Sequence, residues 1–431
     1  MSNLVHLHVH TQYSILDGAS PVKKLVRRAK ELGMEALAIT DHGNMFGAKE
    51  FHDVATKEGI KPIIGCEAYI VRNHFEKDKN EKAGDHLILL ARNLEGYHNL
   101  THIISYSWIE GFYSKPRADK ALLRQYSKGI ICSSACLGGE VSQAIMRGDI
   151  AEAERAILEY KDIFGEDYYL ELMLHPAEDP RRRADVTDNQ AKVNKVILEL
   201  AAKHGVKTIA TNDVHFVMAD DAAAHDRLIC LTTNSELDDP DRLRYTWQEY
   251  LKSYDEMAAL FPDNLDALAN TLEIAAKVEP YSLDHDPLMP DFRAPDDFVF
   301  DPVRLRKVFV KSLGAGEKAA GEAGHGERAS RRASQALAVP FSAPATSAAE
   351  AATIAELEAL AAGNPDLEKK LNIARQQLYL EHLTREGAAK RYPAPFTAEL
   401  EERMRYELDT IAWMGFPGYF LIVWDFIRAA R

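Results

Sequence analysis

The run His6-Leu-His-Val-His10, followed by Thr-Gln-Tyr-Ser-Ile-Leu-Asp17, places three imidazoles at alternate positions near the start of the chain. Read as a β-strand, it puts His6, His8 and His10 on one face and Val5, Leu7 and Val9 on the other. Neutral imidazoles two residues apart on one strand face can hold a metal ion together. The competing reading is an N-terminal edge strand with solvated histidines. Other segments also carry ligand-type side chains where a short apolar run stops. Asp41 and His42 follow Ala36–Ile39, Glu67 follows Ile63-Ile64, Cys136 follows a run ending at Ser133, and Asp213 with His215 follows Thr208–Thr211. One such strand-end residue is usually a cap or a turn; their recurrence asks for a common cause. Of 16 histidines, 12 lie at or before His215, so metal chemistry belongs to the first half of the chain.

The intervening residues supply the scaffold. Ser20-Pro21 reads as a helix start, Val22, Leu25, Val26, Ala29 and Leu32 form one helical face, and Gly33 closes it. Further helices are expected near 48–57, 94–108, out to about 164, and near 188–204. With the opening strand counted, seven short apolar strands alternate with these helices, which implies a parallel sheet, closed into a barrel. In such barrels the site is assembled at the C-terminal ends of several strands. Residues 220–279 read as helical and end the first unit at about 280. A connector (281–313) that is Pro- and Asp-rich over Pro280–Pro302, an Ala/Gly/Ser-rich flexible or weakly helical insertion (314–353) and a helical segment (354–431) follow.

Bulk properties set limits. At 431 residues the chain exceeds one ordinary domain, although an α/β barrel of about 250 residues fits within it. A net charge of −14 argues against a generally sticky nucleic-acid binder, while a local basic groove or bound cations can reverse the sign where it matters. Four scattered cysteines do not make a disulfide framework. No apolar run of membrane-spanning length and no signal-like start are seen, so a soluble cytoplasmic protein without membrane contact is expected. The dense apolar end, Gly418–Ile427, needs something to bury it, as if the chain continued beyond Arg431.

His8-Val-His-Thr11, Thr40-Asp-His-Gly-Asn44, Gly65-Cys-Glu-Ala68, Ser134-Ala-Cys-Leu-Gly-Gly-Glu140 and Thr211-Asn-Asp-Val-His215 resemble the polymerase-and-histidinol-phosphatase (PHP) domain. They are most similar to its form in bacterial DNA polymerase III alpha subunits. The resemblance covers roughly residues 4–280, and Met289-Pro-Asp-Phe292 and Gly415-Phe-Pro-Gly-Tyr-Phe420 resemble the start of that subunit's palm region. It implies a distorted seven-stranded, TIM-like (β/α)7 barrel with a trinuclear divalent metal cluster. The ligands it implies are His8, His10, Asp17, His42, Glu67 as bridging carboxylate, His86, Cys136, Asp213 and His215. His10, Glu67 and Asp213 are then the catalytic members. Mixed N, O and S ligation suits zinc, with manganese or iron as substitutes. Asp41 could orient an imidazole from behind or serve only the turn. His6 is expected to be a core-side partner rather than a ligand, and Lys115-Pro-Arg117 a basic loop that is either solvated or meets a phosphate.

For the whole polymerase the resemblance implies primer-template DNA, magnesium at the polymerase site, and replisome partners such as the sliding clamp and a proofreading exonuclease subunit. The family's nucleotide-binding loop and palm aspartates are not found up to Arg431, so these residues are not expected to polymerise DNA by themselves. Three readings of the metal domain follow. It is an active phosphoesterase, removing 3′ nucleotides or cleaving pyrophosphate; a metal-stabilised structural or docking module; or a free-standing histidinol-phosphate phosphatase. The palm-like residues weigh against the last.

Overall fold

The computed structural model describes residues 4–77, 79, 84–285, 291–315 and 347–431, and the chain divides into two compact units, Met1–His285 and Asp286–Arg431. The first is built on strands β1 (Ala36–Ile39), β2 (Lys61–Val71), β3 (Asp85–Ala91), β4 (Arg117–Asp119), β5 (Ile130–Ser133), β6 (Tyr168–Leu172) and β7 (Lys207–Ala210). The sheet runs β1-β2-β3-β5-β6-β7, with β4 paired to β2. The sheet is mixed, not parallel as expected: β3 lies antiparallel to both β2 and β5. β2 is eleven residues long, and Gly65–Ile70 of it pair with β3.

Residues 5–10 seam the sheet's ends together. The amide of Ala38 donates to the His6 carbonyl and that of Thr40 to Val9, while His10 and Val214 exchange bonds with the residues across from them. The run joins no regular ladder, only a parallel bridge between Val9 and Val214. A bend at His8 is the reason. Val5 and Leu7 pack with Ile63, Ile88, Ile131 and Ile209 in one core, whereas Val9 packs with Val22, Leu25 and Phe51 in another. The alternation therefore slips by one residue between Leu7 and His8. His6 does not share a face with His8 and His10 as the sequence suggests; its Nε2 meets the Lys252 carbonyl at 2.9 Å. Burial lowers its pKa to about 4, keeping it neutral.

A two-residue period organises β2, β3 and β6. Ile63 and Glu67 lie at even spacing on β2, Ile88 and His86 on β3, and Tyr169 and Glu171 on β6. The apolar members fill one end of the barrel interior. The ionisable ones line the other end: the C-terminal ends of the parallel strands and the N-terminal start of the reversed β3.

Residues 234–253 are not helical, contrary to expectation, and separate helix Ala222–Thr233 from Tyr254–Leu260 and Leu265–Lys277. They fold back toward the barrel mouth, where Phe216 bridges to Tyr250. In the second unit, helices Pro302–Ala315, Ser347–Ala361, Pro365–Ala389, Ala398–Met414 and Pro417–Ala430 surround a core containing Leu305, Phe309, Leu357 and Leu371. Both ends of the expected insertion are thus helical; residues 316–346, with Arg328, Arg331 and Arg332, lie outside the described residues, as do Met289 and Pro290. In the last helix Leu421 is buried while Phe426 and Ile427 are exposed. No single described helix is long and apolar enough to cross a membrane.

Candidate metal centre

The nine residues that the resemblance implies as ligands come together at the barrel mouth. Glu67, near the middle of β2, is their hub. Its Oε2 lies 3.1 Å from His8 Nε2, 3.0 Å from His10 Nε2 and 3.4 Å from His42 Nδ1, and its Oε1 is in contact with His86 Nδ1. Asp213 Oδ1 approaches the same two nitrogens, at 3.1 Å from His8 and 3.2 Å from His10. The Cys136 sulfur is 3.7 Å from His86 Nδ1. Asp17 Oδ2 stands 3.2 Å from His42 Nε2 and accepts a 3.2 Å bond from the Tyr245 hydroxyl. Three overlapping groups result that could each hold an ion: His10/His42/His215, His8/His10/Glu67/Asp213 and Glu67/His86/Cys136.

Hydrogen bonds behind the imidazoles decide which nitrogen faces the centre. Glu171 accepts from His8 Nδ1 at 3.0 Å and from the hydroxyls of Ser133 and Thr211, each at 2.6 Å. The Ser14 hydroxyl donates to Asp41 at 2.8 Å, so its oxygen accepts from His10 Nδ1 at 2.9 Å. The backbone carbonyl of Asp213 accepts from His215 Nδ1 at 2.8 Å. His8 and His10 therefore turn Nε2, the lone-pair nitrogen of the neutral tautomer, toward the carboxylates, while His215 turns its Nε2 to the Tyr245 hydroxyl at 3.3 Å. Asp41 acts from behind, through Ser14, and also accepts from the amide and hydroxyl of Thr11. The loop holding Asp17 is fixed by the same group.

Without a cation this arrangement sets lone pairs against anionic oxygens. Buried His10 Nε2, His42 Nδ1, Asp17 Oδ1 and Asp213 Oδ1 have no hydrogen-bond partner, although His10, His42 and Asp213 have close polar neighbours at these atoms. Such orphaned atoms are costly unless something else satisfies them, and divalent cations fit this donor set of imidazole, carboxylate and thiol. The proton affinities agree. Burial opposes a charged His8, but Asp213 and Glu171 outweigh it and hold its pKa well above the usual value. Burial likewise opposes charge on His42, yet Glu67 and Asp17 raise its pKa to about 10. Burial disfavours the charged carboxylates of Glu67 and Asp213, but neighbouring imidazoles, first His86 for Glu67 and first His8 for Asp213, keep both well below the ordinary range. For His215 burial prevails, aided by His10, and its pKa falls to about 4. Backbone strain concentrates here as well: Asp213 has φ 44° and Ala135, before Cys136, φ 60°, both non-glycine residues in the left-handed region.

Several contributors escaped sequence reasoning. Glu171, Ser14 and Tyr245 touch the ligands from behind or above, and only the parity of Glu171 on β6 hinted at its direction. Removing Glu171 leaves the His8 tautomer unfixed, so Glu171→Ala is expected to weaken metal binding by about 10- to 100-fold, measured by competition with a chromophoric chelator. His175 is buried, with Nε2 3.1 Å from the Asn212 carbonyl oxygen. Cys66, Cys132 and Cys230 are buried, and burial raises the Cys66 and Cys132 thiols well above their usual range. Of the expected basic loop, Arg117 is instead fully buried at the start of β4, donating to the carbonyls of Gly111 and Glu76.

Comparison with known proteins agrees with this architecture. Residues 6–175 match the PHP domain, and residues 378–431 match the bacterial DNA polymerase III alpha NTPase domain. DNA polymerase III subunit alpha of Borreliella burgdorferi is 36% identical over 435 residues, covering 100% of this chain and 30% of that protein. The subunit of Helicobacter pylori strain J99 is 37% identical over 441 residues, covering 99% and 30%. A solved two-domain protein from Bacteroides vulgatus, described as containing a predicted PHP-like metal-dependent phosphoesterase, overlays with a TM-score of 0.33 at 13% identity, over 63% of each chain. The chain spans about a third of the length of the curated relatives it matches. With a PHP domain in its first unit and relatives aligned along its entire length, the chain belongs to the bacterial DNA polymerase III alpha subunit family.

Proposed function

We propose that the barrel mouth is a metal-dependent phosphoesterase centre that removes nucleotides from a 3′ end, within a replicative DNA polymerase. The observation that carries this reading is the sharing of ligands among three ion-holding groups, with Glu67 common to two and His10 common to two. Shared ligands keep cations adjacent, as in two-metal phosphoester sites about 3.5–4 Å apart. His8, His10, Asp17, His42, Glu67, His86, Cys136, Asp213 and His215 would hold a trinuclear cluster, with zinc favoured by the nitrogen- and sulfur-containing set and manganese or iron as alternatives. Bound divalent ions would supply Lewis acidity and an activated water.

The chain's own residues do the rest. Glu171 and the Asp41–Ser14 pair lock the imidazoles, Glu67 and Asp213 neutralise positive charge, and Tyr245 fixes Asp17. The side chains of His42 and Asp17 remain 18% and 17% exposed while His8 and His10 are sealed, so one side of the centre is open to substrate. That opening favours catalysis over a purely structural cluster. For the whole polymerase we infer primer-template DNA as substrate, magnesium at its polymerase site, and the sliding clamp and a proofreading exonuclease subunit as partners.

The test is release of the 3′ nucleotide from a mismatched primer by zinc- or manganese-loaded protein, beside His10→Ala. Release that His10→Ala abolishes is the expected result. Metal bound without hydrolysis in either protein would make the cluster structural, and failure to bind metal under replete conditions would remove both readings.

A further inference from the structure

Beside the open edge of the centre lies a cation that the metal ligands do not use. Lys115 is half-buried, and its Nζ donates to the Tyr69 hydroxyl at 3.1 Å while sitting 4.2 Å above that ring's centroid. Tyr69 in turn stacks on His42 at 6.2 Å and meets His86 edge-on at 5.3 Å. Lys115 thus reaches the centre through one aromatic ring, within the electrostatic field of Glu67 and Asp17. Among the described residues no carboxylate comes within ion-pair distance of its ammonium. Tyr69 accepts from Lys115, and its own O–H has no acceptor among the described residues.

The backbone holds this lysine in place. Ser114 adopts φ 64°, a left-handed conformation uncommon for serine, and the Tyr113 amide donates to the Lys115 carbonyl. Pro116 packs so closely on Gly43, the residue after His42, that a Cβ there would fall 2.6 Å from its ring. At the same glycine the Trp108 indole N–H donates to the Gly43 carbonyl at 2.7 Å. Phe112 stacks on Trp108 with centroids 5.3 Å apart at 14°, and both rings are 42% exposed. The 108–116 segment therefore brings an ammonium without a carboxylate partner and an exposed aromatic plate to the metal-side edge, next to the Tyr69 hydroxyl.

We propose that Lys115 and Tyr69 bind the phosphate oxygens of the substrate, and that the Trp108–Phe112 plate stacks a base of the same strand. The ligand is then a single-stranded phosphodiester, not inorganic pyrophosphate. An ammonium with no carboxylate partner and a hydroxyl proton with no acceptor, among the described residues, match an anionic phosphate. Flat exposed rings are the sequence-tolerant partner of a base. The inference rests on the phosphoesterase reading above and selects its substrate class.

The experiment uses the 431-residue chain loaded with zinc. Binding of fluorescein-labelled single-stranded oligothymidylate with phosphorothioate linkages at its 3′ end is followed by anisotropy, and inorganic phosphate and pyrophosphate serve as competitors. Lys115→Ala is expected to weaken the oligonucleotide and both anions about tenfold and to lower the slope of log affinity against log salt by about one. Lys115→Arg should restore most of this. Phe112→Ala should weaken the oligonucleotide about tenfold and leave the two anions unchanged. Metal content should stay at the wild-type level in all three. Wild-type oligonucleotide affinity in Lys115→Ala or in Phe112→Ala, with metal retained, overturns the proposal. Equal loss of anions and oligonucleotide in Phe112→Ala overturns the stacking role. Primer hydrolysis is measured in parallel. Oligonucleotide binding that depends on these residues without hydrolysis would remove the phosphoesterase reading alone, whereas hydrolysis and binding indifferent to them would remove this inference alone.

Discussion

Glu67→Ala is expected to leave a folded barrel that binds at most one metal equivalent and hydrolyses 3′ ends about a thousandfold more slowly or worse, the scale of losing a group that acts directly on developing charge. One carboxylate bounds two of the three ion-holding groups and touches four imidazoles, so its loss breaks the cluster's continuity rather than one ligand bond. Metal analysis of the purified variant and a thermal melt check the expectation. Glu67 is fully buried, and alanine removes an anion that depends on its partners. At neutral pH the metal-free variant should melt below metal-free wild type, because four imidazoles lose the carboxylate that pairs with them. A wild-type metal count in Glu67→Ala would show that the overlap of the groups has no bearing on loading.

The second large effect is a pH dependence of opposite sign with and without metal. In the metal-free protein, Asp213 and Glu171 hold the His8 pKa well above its usual value, and Glu67 and Asp17 raise that of His42 to about 10. A raised folded-state pKa contributes stability that is fully present below the unfolded value, about 6.5, and is lost as pH rises through the folded value. The carboxylates of Glu67 and Asp213, held low by imidazoles, contribute above their unfolded values and lose this only as pH falls through the depressed ones. Between about pH 6.5 and 10 the metal-free protein should therefore lose stability as the shared protons leave. Metal ions need those same protons gone, so their binding strengthens across this window. The rise in melting temperature on adding zinc, relative to chelator, should thus grow steadily from pH 6.5 to pH 9. Proton release on metal binding, measured by calorimetry in buffers of different ionisation enthalpy, should exceed one per protein at neutral pH. A constant zinc effect across the window would separate metal binding from these imidazoles.

Much of the site is legible because its information is local. Asp41-His42, Glu67, and Asp213 with His215 follow short apolar runs directly, and a strand's two-residue period carries from the apolar residue to the ligand: Ile63 to Glu67 on β2. Helix boundaries such as Val22–Glu31 and Asp188–His204 follow from apolar periodicity and a closing glycine. Residues 234–253 misled for a related reason. Flanking helical composition spreads across them, while their conformation is set by where they dock: the Glu249 carbonyl accepts from the amides of His215 and Phe216.

The sequence by itself determined that a metal-type centre is assembled from many strand ends of an α/β barrel, since residue types and periods are properties of short segments. Tertiary structure alone decided the rest. The one-residue slip at His8 that excludes His6, the reversal of β3 that brings His86 to the mouth, Glu171 reaching His8 across 163 positions, and Lys115 seated over Tyr69 are contacts between distant segments. No local preference encodes them, because each is fixed by how the closed sheet and the loops above it pack together.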